Sequence, residues 1–288
     1  MIPAAFEYHR PASIADAVAL MSKLGEDARV LAGGHSLVPM MKLRLATPQH
    51  LVDLGGLKEL KGIRAEADSI VIGAMTTQHE AIASDLLASK VPIIKETALQ
   101  ISDPQVRYCG TVGGNVANGD PGNDLPAVMM CLGATYEARG ASSERRIPAR
   151  DFYEGAYFTA LEPGEIVTAI RIPTPAAGHG YAYEKLKRKI GDYATAAAAV
   201  VLTMGGGLVK SCSIGLTNVA ERPLWAEEAS DILIGSNLDP ATVRKALAAA
   251  EAITSPASDN RGPAAYRTKV AGVMLARALA RARERAKV

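Results

Sequence analysis

Residues 31–54, LAGGHSLVPMMKLRLATPQHLVDL, place the glycine pair Gly33-Gly34 between two apolar runs. The first run predicts a short strand over residues 29–32, and the second predicts a strand over residues 50–54. Between them, the apolar spacing of residues 37–45 indicates a helix. This order of strand, helix and strand predicts a compact βαβ-like unit.

A second glycine pair lies in residues 106–127, VRYCGTVGGNVANGDPGNDLPA. A glycine pair permits positive φ and leaves no Cβ in the way, so that successive amides can converge on an anion. The candidate anion-binding residues are Ala32, Gly33, Gly34, His35 and Ser36 in the first segment and Thr111, Val112, Gly113, Gly114 and Asn115 in the second. A single Gly-Gly is more often an ordinary tight turn, but two such segments suit a diphosphate. Neither segment is GxGxxG or GxxxxGK[ST], which argues against a Rossmann site and a P-loop.

The composition excludes several classes of protein. The chain has 288 residues, 48% of them apolar and 22% charged, and a net charge of +2. It is too hydrophobic for a disordered protein, and its net charge predicts no nucleic-acid partner. Cys109, Cys131 and Cys212 form no CxxC pair, and His35 has no neighbouring ligands. We therefore expect no metal site on this chain.

The sequence predicts neither a signal peptide nor a transmembrane segment. The N-terminal MIPAAFEYHRPAS lacks the basic start and unbroken apolar stretch of a signal peptide. The most apolar run, residues 194–204, is much shorter than the roughly 20 residues that span a bilayer. A cytoplasmic location without a transmembrane segment is expected.

Pro173, Pro175 and Gly178 mark the expected domain boundary, because prolines interrupt regular elements and glycine loosens the connection. The predicted domains are residues 1–177 and 178–288. Alternating strands and helices in the first are followed in the second by three strands and then three helices, which indicates an α+β fold. The predicted elements of the second domain are strands at 181–187, 196–204 and 208–218 and helices at 227–233, 241–253 and 264–283.

The segments AGGHS and, some eighty residues later, TVGGN with its Asp-Leu-Pro turn resemble the flavin-binding subunits of the molybdenum hydroxylases. Within that family, residues 31–54 and 106–127 are most similar to the carbon monoxide dehydrogenase branch. The resemblance spans the chain. It implies a vanillyl-alcohol-oxidase-type (PCMH-type) FAD-binding domain with subdomains of about 1–54 and 55–177. It also implies a C-terminal α+β domain of the CO dehydrogenase flavoprotein type.

The resemblance also implies roles for individual residues. Both glycine segments would surround the FAD pyrophosphate with their amides, and Asp124 would accept hydrogen bonds from the ribityl chain. Lys185 and Tyr193 would approach the isoalloxazine. On local grounds alone, Asp124 could equally be a helix N-cap. On the residues alone, Lys185 is more often an ordinary charge of the strand EKLKRK.

By the same resemblance, this chain carries FAD, and its partners are an iron-sulfur small subunit with [2Fe-2S] clusters and a large subunit with the molybdenum cofactor. Electrons from oxidation of carbon monoxide would pass through FAD to an external acceptor, with no catalytic residue for that oxidation on this chain. A dimer of heterotrimers, associated with the inner face of the membrane through the complex, is expected. The alternatives are a flavin subunit of a xanthine, aldehyde or N-heterocycle hydroxylase, a free-standing FAD oxidase, and a non-enzymatic module for another phosphate ligand.

Overall fold

The structure is a computed structural model that describes residues 2–287. Its strands form three main sheets and one two-stranded hairpin, with helices packed against them. No helix within residues 2–287 combines the length and the apolar character that a membrane span requires.

The first sheet has three parallel strands joined by two helices. Its elements are β1 (Glu7–His9), α1 (Ile14–Leu24), β2 (Ala28–Leu31), α2 (Leu37–Lys42) and β3 (His50–Asp53). Strand β3 lies in the middle, between β1 and β2. Helix α1 begins after Ser13, whose Oγ accepts a hydrogen bond from the Asp16 amide at 3.1 Å. The βαβ unit from β2 to β3 confirms the prediction, whereas β1 was not predicted.

The second sheet is antiparallel and has five strands. They are β4 (Ile63–Glu66), β5 (Ser69–Gly73), β6 (Thr135–Arg139), β7 (Glu144–Pro148) and, after the hairpin β8 (Tyr153–Gly155) and β9 (Phe158–Thr159), β10 (Ile166–Pro173). The spatial order is β4-β5-β10-β6-β7. The last strand in sequence is therefore the central one, and it holds the two halves of the sheet together.

Six short helices lie between β5 and β6 in the chain. They are α3 (Gln78–Ala83), α4 (Asp85–Lys90), α5 (Pro92–Ala98), α6 (Pro104–Cys109), α7 (Val112–Ala117) and α8 (Asp124–Cys131). Serine and threonine caps divide the region, because Thr77 forms a capping box with Glu80 and Ser84 caps α4. Residues 78–90 consequently form two helices and not one continuous helix.

The third sheet is an antiparallel meander covered by helices. Its elements are β11 (Gly180–Leu186), β12 (Ala196–Gly205), β13 (Leu208–Thr217), β14 (Leu224–Trp225), α9 (Glu227–Leu233), α10 (Pro240–Ala252) and α11 (Ala264–Arg285). Gly206 and Gly207, with φ of 60° and 78°, form the turn between β12 and β13. Two positive φ angles in succession are what a tight hairpin turn needs.

Strand β12 explains the alanine-rich run of the sequence, because both of its faces are buried. Ala197 and Ala199 belong to the core shared with the second sheet, whereas Ala196 and Ala198 belong to the core beneath α11. All four are fully buried. Alternating residues point to opposite faces of a strand, so small side chains on both faces allow close packing on both sides.

Gly215 of β13 lies against the backbone of α8, where a Cβ would stand 2.2 Å from the Ala127 carbonyl oxygen. We predict that Gly215→Ala lowers stability by about 1–3 kcal/mol, since overpacking forces the backbone apart. The measurement is the thermal unfolding midpoint, which should fall by several degrees. The control is Gly155→Ala, whose Cβ would meet its nearest neighbour at 3.9 Å. Equal midpoints for the two variants would contradict this packing.

Candidate functional site

A cavity of about 990 Å³ is lined by residues from all three main sheets and their connections. This volume is at the upper end of the range for ligand pockets, roughly 300–1,000 Å³, and can accept an extended ligand. Twelve of the thirteen residues predicted from the sequence line it. These are Ala32, Gly33, Gly34, His35, Ser36, Thr111, Gly113, Gly114, Asn115, Asp124, Lys185 and Tyr193.

Residues 32–36 form the loop between β2 and α2, line the cavity and carry amide donors that no protein group uses. The amides of residues 33–36 donate to no protein acceptor within residues 2–287. Gly34 has a φ of 74°, which a residue with a Cβ rarely adopts. Because anions are readily bound where neighbouring amides have no protein acceptor, this loop has the chemistry of a phosphate-binding site.

The second glycine segment has a different local structure from the predicted turn. Thr111 is the N-cap of α7, and its Oγ1 accepts a hydrogen bond from the Gly114 amide at 3.0 Å. The amides of Val112 and Gly113 donate to Thr76 and Ala74. Neither Gly113 nor Gly114 has a positive φ. The expectation that residues 112–115 offer a row of free amides is therefore wrong, because those amides are already bonded inside the protein.

Gly33 and Gly113 are instead required by close approach. A Cβ on Gly33 would lie 2.3 Å from the Cys109 carbonyl oxygen, and one on Gly113 would lie 2.5 Å from the Ala74 Cβ. A Cβ on Gly114 would meet the Ala32 Cβ at 3.4 Å. The two segments are thus packed against each other and form one wall of the cavity.

Val112 is the predicted site residue that does not line the cavity. Its side chain is 1% exposed and belongs to the core of the second sheet. Val112 is the first residue of α7 after the N-cap Thr111, and its side chain is buried in the core. Val112 holds the glycine segment on the core and does not contact the cavity.

Asp124 forms a buried ion pair with Lys185, with 2.8 Å between Oδ2 and Nζ. The side chains are 5% and 1% exposed. The Tyr183 hydroxyl donates to the other carboxylate oxygen. Burial raises the pKa of Asp124, although Lys185 and Tyr183 both favour its charged form. Burial and the neighbouring Asp124 also raise the pKa of Tyr183 well above its usual range.

The structure excludes two alternative interpretations, Asp124 as a helix N-cap and Lys185 as an exposed strand charge. Asn123 is the residue before α8, and Asp124 is its first helical residue, so the carboxylate is not the N-cap. Lys185 is not an exposed strand charge, because a buried carboxylate 61 residues earlier in the chain neutralises it. The pair joins α8 to β11 at the cavity wall.

Tyr193 lies in the loop between β11 and β12, and its ring packs over Gly122. A Cβ on Gly122 would stand 2.8 Å from Cδ1 of Tyr193. The Arg261 guanidinium lies 5.8 Å from the ring centroid. Burial raises the pKa of the Tyr193 hydroxyl, and the negative charge of Asp120 raises it further. Tyr193 is therefore a neutral aromatic surface at the cavity.

The structure adds polar residues that the sequence did not single out. Oε1 of Gln78 and Nδ2 of Asn118 are buried without a hydrogen-bond partner within residues 2–287, and both residues line the cavity. Asn123 also lines the cavity, and its side-chain Nδ2 donates to the backbone carbonyl oxygen of Asn115 at 2.8 Å. The asparagine-rich run of residues 115–123 could have indicated such a polar wall. Unpaired buried polar groups are rare, and those at a cavity suit a polar ligand.

Two family models match the chain. The model for the FAD binding domain in molybdopterin dehydrogenase matches residues 4–175, and that for the CO dehydrogenase flavoprotein C-terminal domain matches residues 181–282. The chain belongs to the family of FAD-binding subunits of the molybdopterin dehydrogenases. The α+β fold class expected from the resemblance is confirmed.

Similar chains support the same family over the full length. The carbon monoxide dehydrogenase medium chain of Afipia carboxidovorans is 70% identical, with 100% of both chains covered. The corresponding chain of Hydrogenophaga pseudoflava is 49% identical, with 97% of both covered. A solved chain of reconstituted CO dehydrogenase from Oligotropha carboxidovorans has a TM-score of 0.99 at 70% identity, with 99% of this chain and 100% of that chain covered.

We predict that Asp124→Asn lowers the free energy of unfolding by about 3–5 kcal/mol, because the Lys185 ammonium would be left buried without its carboxylate. The double variant Asp124→Asn/Lys185→Met removes both charges and should recover much of this loss. Thermal unfolding of the three proteins measures both effects. A double variant less stable than Asp124→Asn would show that the two groups do not act as a pair.

Proposed function

We propose that this chain is the FAD-carrying electron-transfer subunit of a carbon monoxide dehydrogenase. The complex would convert carbon monoxide and water to carbon dioxide, two protons and two electrons. The observation that carries the proposal is a large cavity with a loop of unused amides, in a chain 70% identical over its whole length to a carbon monoxide dehydrogenase medium chain.

The residues at the cavity fit FAD. The loop of residues 33–36 would hold the diphosphate with its free amides, and the segment of residues 111–115 would shape the wall behind it. Gln78 and Asn118 offer a buried acceptor and donor to the polar parts of the cofactor. Asp124, Lys185 and Tyr193 would lie towards the flavin. FAD, when bound, supplies redox chemistry that joins one-electron donors to one- or two-electron acceptors.

The partners follow from this assignment. Electrons would arrive from the [2Fe-2S] clusters of a small subunit, and carbon monoxide would be oxidised at the molybdenum cofactor of a large subunit. We further propose a dimer of such heterotrimers that reduces an external acceptor and is located in the cytoplasm at the inner face of the membrane. The chain itself would divide into residues 1–177, with subdomains of about 1–54 and 55–177, and residues 178–288, which the separate sheets and the connection through Pro175 and Gly178 support.

A flavin subunit of a xanthine, aldehyde or N-heterocycle hydroxylase would share this fold. The high identity to carbon monoxide dehydrogenase medium chains favours carbon monoxide. Supplying the purified complex with each substrate in turn, and recording reduction of a dye acceptor, tests the assignment. Reduction with xanthine or an aldehyde but not with carbon monoxide would reject it.

Gly33→Val should reduce the FAD content of the purified complex by about tenfold or more, because the side chain would collide with the Cys109 carbonyl and displace the loop. Gly113→Val should act similarly through Ala74. In both variants, carbon monoxide should still reduce the iron-sulfur clusters, but electrons should not reach the dye. Flavin released by denaturation and the cluster absorbance are measured.

The matched control for these variants is Gly155→Val, where a Cβ would meet its nearest neighbour at 3.9 Å. It should keep both FAD and dye reduction. Normal flavin content in a folded Gly33→Val complex would place the diphosphate elsewhere.

Lys185→Met should lower the flavin midpoint potential, because it removes the buried cation that would favour negative charge on the reduced flavin. Tyr193→Ala should instead speed reoxidation, since it removes an aromatic ring from the cavity wall. Both variants should keep most of their FAD. The experiment is a redox titration of the assembled complex with its reoxidation rate. An unchanged potential in the first variant and an unchanged rate in the second would place both residues away from the flavin.

A further inference from the structure

Three potential metal ligands converge on the first sheet, outside the cavity. Nε2 of His9 lies 3.1 Å from Nδ1 of His50. A carboxylate oxygen of Glu7 lies 3.4 Å from the same His50 nitrogen and 3.9 Å from the His9 nitrogen. The imidazoles are 25% and 20% exposed, so an ion could reach them from solvent.

The convergence follows from strand geometry. Glu7 and His9 are two residues apart on β1, and alternate residues of a strand share a face. The parallel register places Glu7 opposite His50 on the neighbouring strand β3. Three ligating side chains therefore come from two hydrogen-bonded strands, which hold their backbones in place.

The spacing of the three atoms matches that required by a metal. The point in their plane that is equidistant from all three lies about 2.0 Å from each atom. Zinc binds histidine nitrogen and carboxylate oxygen at about 2.0–2.2 Å. In a tetrahedral site with such bonds, neighbouring ligand atoms are about 3.3 Å apart, close to the observed separations.

We propose that Glu7, His9 and His50 bind one divalent transition-metal ion, with zinc as the best fit. Two imidazoles and one carboxylate make a borderline ligand set that suits zinc and disfavours magnesium and calcium, which prefer oxygen ligands. Water would fill the fourth position. The alternative is a hydrogen bond between the two imidazoles, which needs one neutral ring as acceptor and uses no ion.

The sequence predicted no metal on this chain, because its cysteines are dispersed and His35 has no neighbouring ligands. His9 and His50 are 41 residues apart, and β1 is too short to be predicted from sequence. Their proximity depends on the pairing of β1 with β3, which the sequence alone does not show.

Metal binding would also fasten β1 to the sheet. This edge strand is held to β3 through three paired residues, and β3 in turn pairs with β2. Residues 28–30 of β2 line the cavity and lead into its amide-bearing loop. A ligand that binds only the folded state raises the unfolding temperature. Zinc should therefore stabilise the N-terminal sheet.

The test uses the full chain after removal of metal with a chelator. Zinc is titrated in competition with a metal-binding dye, and cobalt is added separately as a spectroscopic probe. The variants are His9→Gln, His50→Gln and Glu7→Gln. The control is His179→Gln, the same substitution at a histidine that immediately precedes β11 of the third sheet.

We expect one zinc site in the wild type and the control. Affinity at this site should fall by about 100-fold in either histidine variant and about tenfold in Glu7→Gln, whose carbonyl oxygen can still ligate. Cobalt should give the visible spectrum of a tetrahedral nitrogen and oxygen site, and zinc should raise the thermal midpoint of the wild type but not of His50→Gln.

Unchanged zinc affinity in His50→Gln would overturn the proposal, as would the absence of zinc binding in the wild type. A thiolate-to-cobalt band would place the ion at a cysteine and would also overturn it. Because Glu7 is 74% exposed, Glu7→Gln leaves the core intact and keeps the test decisive if a histidine variant fails to fold.

Discussion

The close approach of the loop at Gly33 to the backbone at Cys109 is the constraint on which the site depends. There is no room for a Cβ at Gly33, and the same holds at Gly113 against Ala74. The first contact places the loop between β2 and α2 against the end of α6. The second contact holds α7 against the residue that follows β5. The loop of residues 33–36 and the helix α7 consequently line one cavity, although the first sheet and α7 belong to separate parts of the chain.

The buried pair of Asp124 and Lys185 makes the corresponding link to the third sheet. Neither group would be stable in this position without the other, since an unpaired buried charge costs several kcal/mol. The pair adds no net charge, although Lys185 favours and Asp124 opposes negative charge on a neighbouring group. Charged groups close to a redox cofactor are among the protein features that tune its electronic properties.

Much of this architecture could be predicted from local sequence. The strands and helix around Gly33 follow from apolar spacing, and the double-sided burial of β12 agrees with its unbroken alanine and valine run. The central strand β10 was not predicted, because its partners β5 and β6 lie far from it in the chain. The four glycines of the two segments line the cavity, but the reason for a glycine differs from one position to the next. Gly34 does need positive φ, whereas Gly33 and Gly113 are needed for tertiary contacts that no local pattern reveals.

The same distinction applies to charged residues. The run EKLKRK is typical of an exposed strand, and Lys185 is buried only because a distant carboxylate pairs with it. The roles of Tyr183, Gln78 and Asn118 likewise emerge only when the sheets are assembled. The sequence pointed to segments that line the cavity, but the environment of each group depends on partners that are distant in the chain.

Hydrogen exchange of the assembled complex, with and without FAD, tests the central claim most directly. The amides of residues 33–36 have no protein acceptor, so FAD should slow their exchange strongly. The amides of residues 112–114 are already bonded within the protein and should change much less. Exchange at residues 33–36 that is unaffected by FAD would contradict the account, because the diphosphate would then have to be bound by other groups.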